Sequence, residues 1–347
     1  MTPGSRTSPL SVGAPLAEVT RRDERSGDEI VESIHHGHLV VIGPGPTPPG
    51  PGTVPPPLTT VASLGDPGAL TYVRSAAKPF QTVAVLERLG ARADELTDAE
   101  VAVSWGSHRG EPRHLDAVAR LLERSGTTPE ALTCPPAVAE AAPGAAPTRI
   151  QHNCSGKHAM FALAGTEIGT PRDALLDRSG TLQQYLLEEL SQRMNVVAVG
   201  IDGCGAPAIA APLWSLATAY AGLATLPWGQ RVRDAGRAHP MLVGGEGRLE
   251  SALLAAGVVA KVGAEGVYGV GWRAADGRDW GLACKATDGS TRGVAAATIA
   301  ALEGLGVVAR GTWSSPPPLG GGAPVGSVRA TADVLQIVER IGGAAAR

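Results

Sequence analysis

Aromatic side chains are scarce in this chain of 347 residues, which holds two Phe, four Tyr and six Trp. A core built without them closes on Ala, Gly, Val and Leu, so its elements pack through small side chains. Positive charge is not in excess either. The 30 Lys and Arg stand against 33 Asp and Glu, a formal net charge of -3, and the pI is near 6.3. That balance gives no sign of a nucleic-acid or membrane-surface partner, which would need a clustered basic face, and it leaves a small-molecule substrate. No charged segment followed by an apolar stretch opens the chain, so no secretory signal is read and a cytoplasmic setting is expected. Cysteine is sparse, at 134, 154, 204 and 284, and in a reducing compartment such residues serve metal binding or chemistry more often than disulfides.

Glycine and proline are plentiful instead, at 46 and 28 residues, and they punctuate the chain into many turns. Residues 1–16 read as a disordered tail, and 17–345 as a single catalytic domain with a Pro/Gly-rich loop at 43–57. The run from Gly203 to Gln230 carries no charge. Its Ala and Gly content and three prolines favour a buried helix flanked by turns over a membrane span. Strands are expected at 31–42 and 59–64, on either side of the Pro/Gly loop. Phe80, Val83, Leu86 and Leu89 recur at three-residue steps and predict a helix over 78–89, with Pro79 tolerated in its first turn. Further helices are expected at 112–124, 181–194, 291–305 and 333–341. A strand is expected at 196–201, and an antiparallel hairpin at 267–272 and 280–285 through Asp276-Gly277. Strands at both ends with helices between them describe an α/β sandwich rather than an alternating βα series.

Three segments carry the chemistry: Arg74-Ser75-Ala76-Ala77-Lys78-Pro79, His152-Asn153-Cys154-Ser155-Gly156-Lys157-His158 and Gly200-Ile201-Asp202-Gly203-Cys204-Gly205. Ser75 and Lys78 lie one turn apart at a helix start, and a lysine with a lowered pKa can deprotonate a serine. Alone, the pair is more often the cap and solvated lysine of an ordinary helix. Cys154 and Cys204 are soft donors suited to zinc, but two thiolates do not complete a site.

Taken together and in this order, the segments resemble the asparaginase II family, the Rhizobium etli-type bacterial L-asparaginases. That family is distantly similar to Ser-x-x-Lys serine hydrolases of the glutaminase/β-lactamase kind. The resemblance implies a sandwich of a largely antiparallel sheet with helices, and hydrolysis of L-asparagine to L-aspartate and ammonia. It implies two Ser/Lys pairs, carried over onto Ser75 with Lys78 and onto Ser107 with Lys285. Ser75 is the expected attacking group and Ser107 a proton relay, although spacing alone decides neither role. It further implies an accessory zinc ion held by Cys154, Lys157 and Cys204, and a homodimer. Asp202, at a strand end two residues before Cys204, is placed to receive the substrate's α-ammonium or a water on zinc, and His158 and Arg74 are further candidate substrate contacts, Arg74 for the α-carboxylate. Glu265-Gly266 looks like the family's substrate-side turn. The Pro/Gly insertion and Met160-Phe161 depart from the family pattern. Two other readings remain: a serine acyl-enzyme of the β-lactamase or DD-peptidase kind, and a zinc-stabilised amino-acid-binding protein.

Overall fold

The computed structural model describes residues 11–45 and 57–345, with side chains described to 342. In chain order the elements are β1 (Ala14–Arg22), β2 (Glu29–Pro44), β3 (Leu58–Leu64), β4 (Leu70–Tyr72), α1 (Lys78–Leu89), α2 (Asp98–Ser104), α3 (Pro112–Arg124), α4 (Ser155–Ile168) and α5 (Thr181–Arg193). There follow β5 (Ala198–Ile201), β6 (Pro207–Pro212), α6 (Leu213–Gly222), α7 (Gly229–Ala238), α8 (Pro240–Val243), α9 (Leu249–Ala255), β7 (Val259–Gly263), β8 (Val267–Arg273) and β9 (Asp279–Ala286). The chain closes with α10 (Thr291–Gly304), β10 (Leu319–Gly320), β11 (Ala323–Pro324), β12 (Val328–Ala330) and α11 (Ala332–Ala345).

The main sheet is antiparallel, in the order β12-β1-β2-β9-β8-β7, with β3 also on β2. The long strand β2 pairs with β1 through residues 29–37 and with β3 through 39–44, while 37–42 pair with β9. Alternation along β2 sends Leu39 and Val41 to one core and Val40 and Ile42 to the other, as the period of two demands. The first core joins the sheet to α1–α7, and the second joins it to α9–α11. Here the expected α/β sandwich is observed.

Small residues set the spacing between layers, as the shortage of aromatics requires. At Gly281 on β9, a Cβ would lie 2.0 Å from the Ala217 carbonyl oxygen of α6, so this helix rests its backbone on the strand. The expected strands and the helices over 78–89 and 112–124 form within a residue or two of their predicted bounds, and so does the 267–286 hairpin. Among the described residues no helix is long and apolar enough to cross a membrane.

Two expectations change. The Ala/Gly-rich stretch is not one helix between turns: Pro207 and Pro212 bracket strand β6, which lies between β4 and β5 in a separate three-stranded sheet, and α6 follows directly. Residues 14–16, read as tail, belong to β1, where Ala14 pairs with Gly37. Residues 1–10 of that tail and 46–56 of the Pro/Gly loop lie outside the described residues.

Candidate active site

Ser75 sits in a 3-10 turn, Arg74–Ala77, that runs straight into α1. Arg74 opens the turn at φ 52°, a left-handed backbone that costs a residue with a Cβ about 1 kcal/mol or more and clusters at functional positions. Lys78 is the first residue of α1 and only 1% exposed. Its amine donates to the Gly106 carbonyl and, at 3.1 Å, lies against Ser107 Oγ.

Ser107 follows α2, whose start is fixed by a capping box: Thr97 Oγ1 accepts from Glu100 N, and the Glu100 carboxylate accepts from Thr97 N. The Ser107 amide then donates to Val243 O at 2.8 Å, and His108 N to Asn153 O at 3.3 Å. These bonds tie the serine's segment to the end of α8 and to the stretch that precedes α4.

A second amine meets the same hydroxyl. Lys261 Nζ is 2.8 Å from Ser107 Oγ, and Lys261 is fully buried in β7. Burial, reinforced by the Lys78 charge, pushes its pKa down to about 7. Lys261 is the residue that sequence reasoning missed. Its signal was a lysine inside the otherwise apolar run Val258-Val259-Ala260-Lys261-Val262-Gly263. Gly263 is needed there because a Cβ would lie 2.6 Å from the Val73 carbonyl oxygen, so its absence lets β7 close on the turn that bears Ser75.

Lys285 does not reach Ser107. It shares a sheet face with Lys261 but lies two strands away, opposite Val267, which is itself opposite Gly263. Its amine donates to the carbonyls of Glu265, at 2.6 Å, and of Ala286. Glu265 (φ 62°) and Gly266 (φ 63°) are the left-handed residues of the β7–β8 turn, so Lys285 braces the turn that follows Gly263.

Cys154, Lys157 and Cys204 come together in a second buried cluster. Cys154 caps α4, and Lys157 Nζ lies 3.0 Å from Cys204 Sγ. A hydrogen bond from the Cys204 thiol, with help from the Lys78 charge, holds Cys154 well below the ordinary thiol range and leaves Cys204 raised. Burial opposes the charge on Lys157, but the two sulfurs beside it outweigh burial and raise its pKa. The Phe161 ring, one of the departures from the family pattern, lies 5.6 Å from the Lys157 amine. Among the described residues no three His, Cys, Asp or Glu side chains gather as a metal group, so a metal here would take lysine as its third protein donor. Two adjacent thiols with an amine fit a soft divalent ion.

Arg74 and Asp202 pair with each other, Nε to Oδ1 at 2.8 Å, and Asp202 Oδ1 also accepts from Gly203 N. His158 Nδ1 is 2.7 Å from Thr133 Oγ1, while its buried Nε2 has no partner among the described residues.

A cavity of about 380 Å³ opens over Ser75 and Ser107 and is walled by His108, Asn153, Gly263 and Arg292 among others. Arg74, Asp202 and the cysteine cluster are not on its wall. A larger cavity of about 660 Å³, lined by Arg233, Arg237 and Trp272, includes none of these serines or amines.

Fold and site together describe an α/β sandwich that gathers serine hydroxyls and buried amines beside one cavity. A family model described as L-asparaginase II matches residues 23–330. The chain belongs to this family and is an L-asparaginase-type amidohydrolase, with L-asparagine as its small-molecule substrate. No curated protein matches the chain.

Proposed function

We propose that the amide of L-asparagine is cleaved through an ester on Ser75, with Lys78, Ser107 and Lys261 as the proton path. The observation that carries this reading is the convergence of two buried amines on Ser107 Oγ, at 3.1 and 2.8 Å, while Ser75 lies on the same cavity wall with no amine bonded to its hydroxyl among the described residues. A hydroxyl held between two amines is suited to relaying protons; one on the cavity wall that no amine holds is left to attack. Lys261, pushed down to about 7, takes the proton of Ser107, which takes one from Lys78. Lys78 can then accept the proton of Ser75. Ser75 Oγ attacks the carboxamide carbon, and the path returns its proton to the nitrogen as the C–N bond breaks and ammonia leaves. Water, deprotonated by the same path, attacks the ester. Its C–O bond breaks, L-aspartate leaves, and Ser75 regains its proton.

Cys154, Lys157 and Cys204 would hold zinc, as an accessory to this chemistry. Bound there, the ion would supply a Lewis-acidic point that positions substrate; Cys154 stands at the start of α4 and Lys157 Nζ reaches Cys204 Sγ. Asp202, which pairs with Arg74, and the open Nε2 of His158 lie off the cavity wall; they are candidate substrate contacts on the metal side of the site. A homodimer, implied by the family resemblance, completes the proposal.

One preparation tests it. Purified protein should release ammonia from L-asparagine, carry stoichiometric zinc that Cys204→Ser loses, and sediment as a dimer. Ser75→Ala should lower turnover by roughly 10³-fold or more, and rapid quenching of the wild type should leave an aspartyl ester on the peptide containing Ser75. An ester on Ser107 instead would reverse the two serines' roles. Absence of zinc from freshly purified protein, or sedimentation as a monomer, would remove that part.

A further inference from the structure

The cavity wall carries two arginines, and their surroundings differ. Arg248 is paired with Glu140. Glu250, a buried carboxylate on the same wall, accepts from the Tyr268 hydroxyl at 2.7 Å. Arg292 has no carboxylate within ion-pair distance among the described residues, and its one hydrogen bond there runs from Nε to His35 Nε2 at 3.0 Å. Because that ring nitrogen accepts, the proton of His35 sits on Nδ1, which lies 2.6 Å from Asp288 Oδ2. Asp288 is anchored in turn, its other oxygen accepting from Ser290 N at 2.9 Å. His35 is 7% exposed. The chain Asp288–His35–Arg292 thus fixes one edge of a guanidinium on the rim of the cavity that holds Ser75. Its two terminal nitrogens are left for a ligand.

We infer that Arg292 grips the α-carboxylate of the substrate, with His35 as its positioning residue. This rests on the reading of the cavity as the asparagine site. A planar guanidinium held at Nε presents its remaining N–H groups as a fork, the geometry that matches a carboxylate. Arg74, the arginine that the sequence suggested for this task, is not on the cavity wall, and its charge is met by the Asp202 carboxylate. An arginine on α10 therefore sets the distance between the carboxylate and the amide to be cleaved, and restricts the enzyme to amides that carry a free carboxylate.

The test compares wild type, Arg292→Gln, Arg292→Lys, His35→Gln and His35→Leu in asparagine hydrolysis and in calorimetric binding of L-aspartate. Arg292→Gln should raise KM for L-asparagine roughly ten- to a hundredfold with a smaller change in kcat, and it should lose the wild type's preference for L-asparagine over its α-methyl ester. Arg292→Lys should recover only part of this. His35→Gln, which still offers Arg292 an oxygen, should stay closer to wild type than His35→Leu. Unchanged KM and ester preference in Arg292→Gln would overturn the inference while leaving the catalytic reading intact. Should the wild type release no ammonia, the catalytic reading falls and binding decides: L-aspartate held by wild type and lost in Arg292→Gln upholds the inference. Equal binding by both, or none by wild type, ends it.

Discussion

At the scale of single residues, the site turns on which amine is neutral. Lys261 is pushed down to about 7 by burial and then by the charge of Lys78, and the proposed path needs Lys261 without its proton. Activity should therefore rise with pH, with kcat/KM climbing about tenfold per unit below pH 7 and levelling above it. The buried imidazoles of His108 and His158 do not supply such a limb, since burial holds both well below the usual histidine range. A rate that stays flat from pH 5 to 7 would show that Lys261 is not the base. The limb should persist in the residual activity of Ser75→Ala, because that change leaves Lys261 and Lys78 in place.

At the scale of elements, legibility followed locality. Helix α1 was readable because Phe80, Val83, Leu86 and Leu89 mark its face, and the β8–β9 hairpin because Asp276-Gly277 states its turn. Helix α4 left no such mark. Its residues from Ser155 to Gly165 are buried on every side, so the apolar period that identifies a surface helix is missing. The same uniformity hid β6 inside the Ala/Gly run. At the site, Ser75 and Lys78 stood out as a motif, Ser107 came only through the family resemblance, and the structure sets Lys157 beside Cys204. What could not be read was which strand lysine meets Ser107. Lys261 and Lys285 occupy one face of the sheet, and only the register of β7 on β8 and of β8 on β9 sets one beneath Ser107 and the other beneath the β7–β8 turn. Pairings of that kind join distant parts of the chain and leave no local trace. Arg292 was hidden for the same reason, because its partner His35 lies on β2, 257 residues earlier.

At the scale of the whole molecule, the site sets a stability that depends on pH. An unfolded lysine titrates near ~10.4, whereas Lys261 in the folded protein does so at about 7. Between these values the unfolded chain binds the extra proton, so stability rises with pH across that window. Below about 7 both states are charged and the penalty is present in full; above about 10.4 it has vanished. A lowering of this size corresponds to several kcal/mol, of which lost hydrogen bonds to Ser107 and Val262 offset a part, leaving on the order of 3 kcal/mol. Lys261→Met, close in length and uncharged, should therefore melt roughly 5 °C or more above wild type at pH 6, and that gain should shrink steadily as the pH is raised toward 10. It should also be inactive. A variant no more stable than wild type at pH 6, or a gain that does not change with pH, would mean that the folded protein accommodates this charge without strain. The neutral lysine at the centre of the proposed proton path would then lose its physical basis.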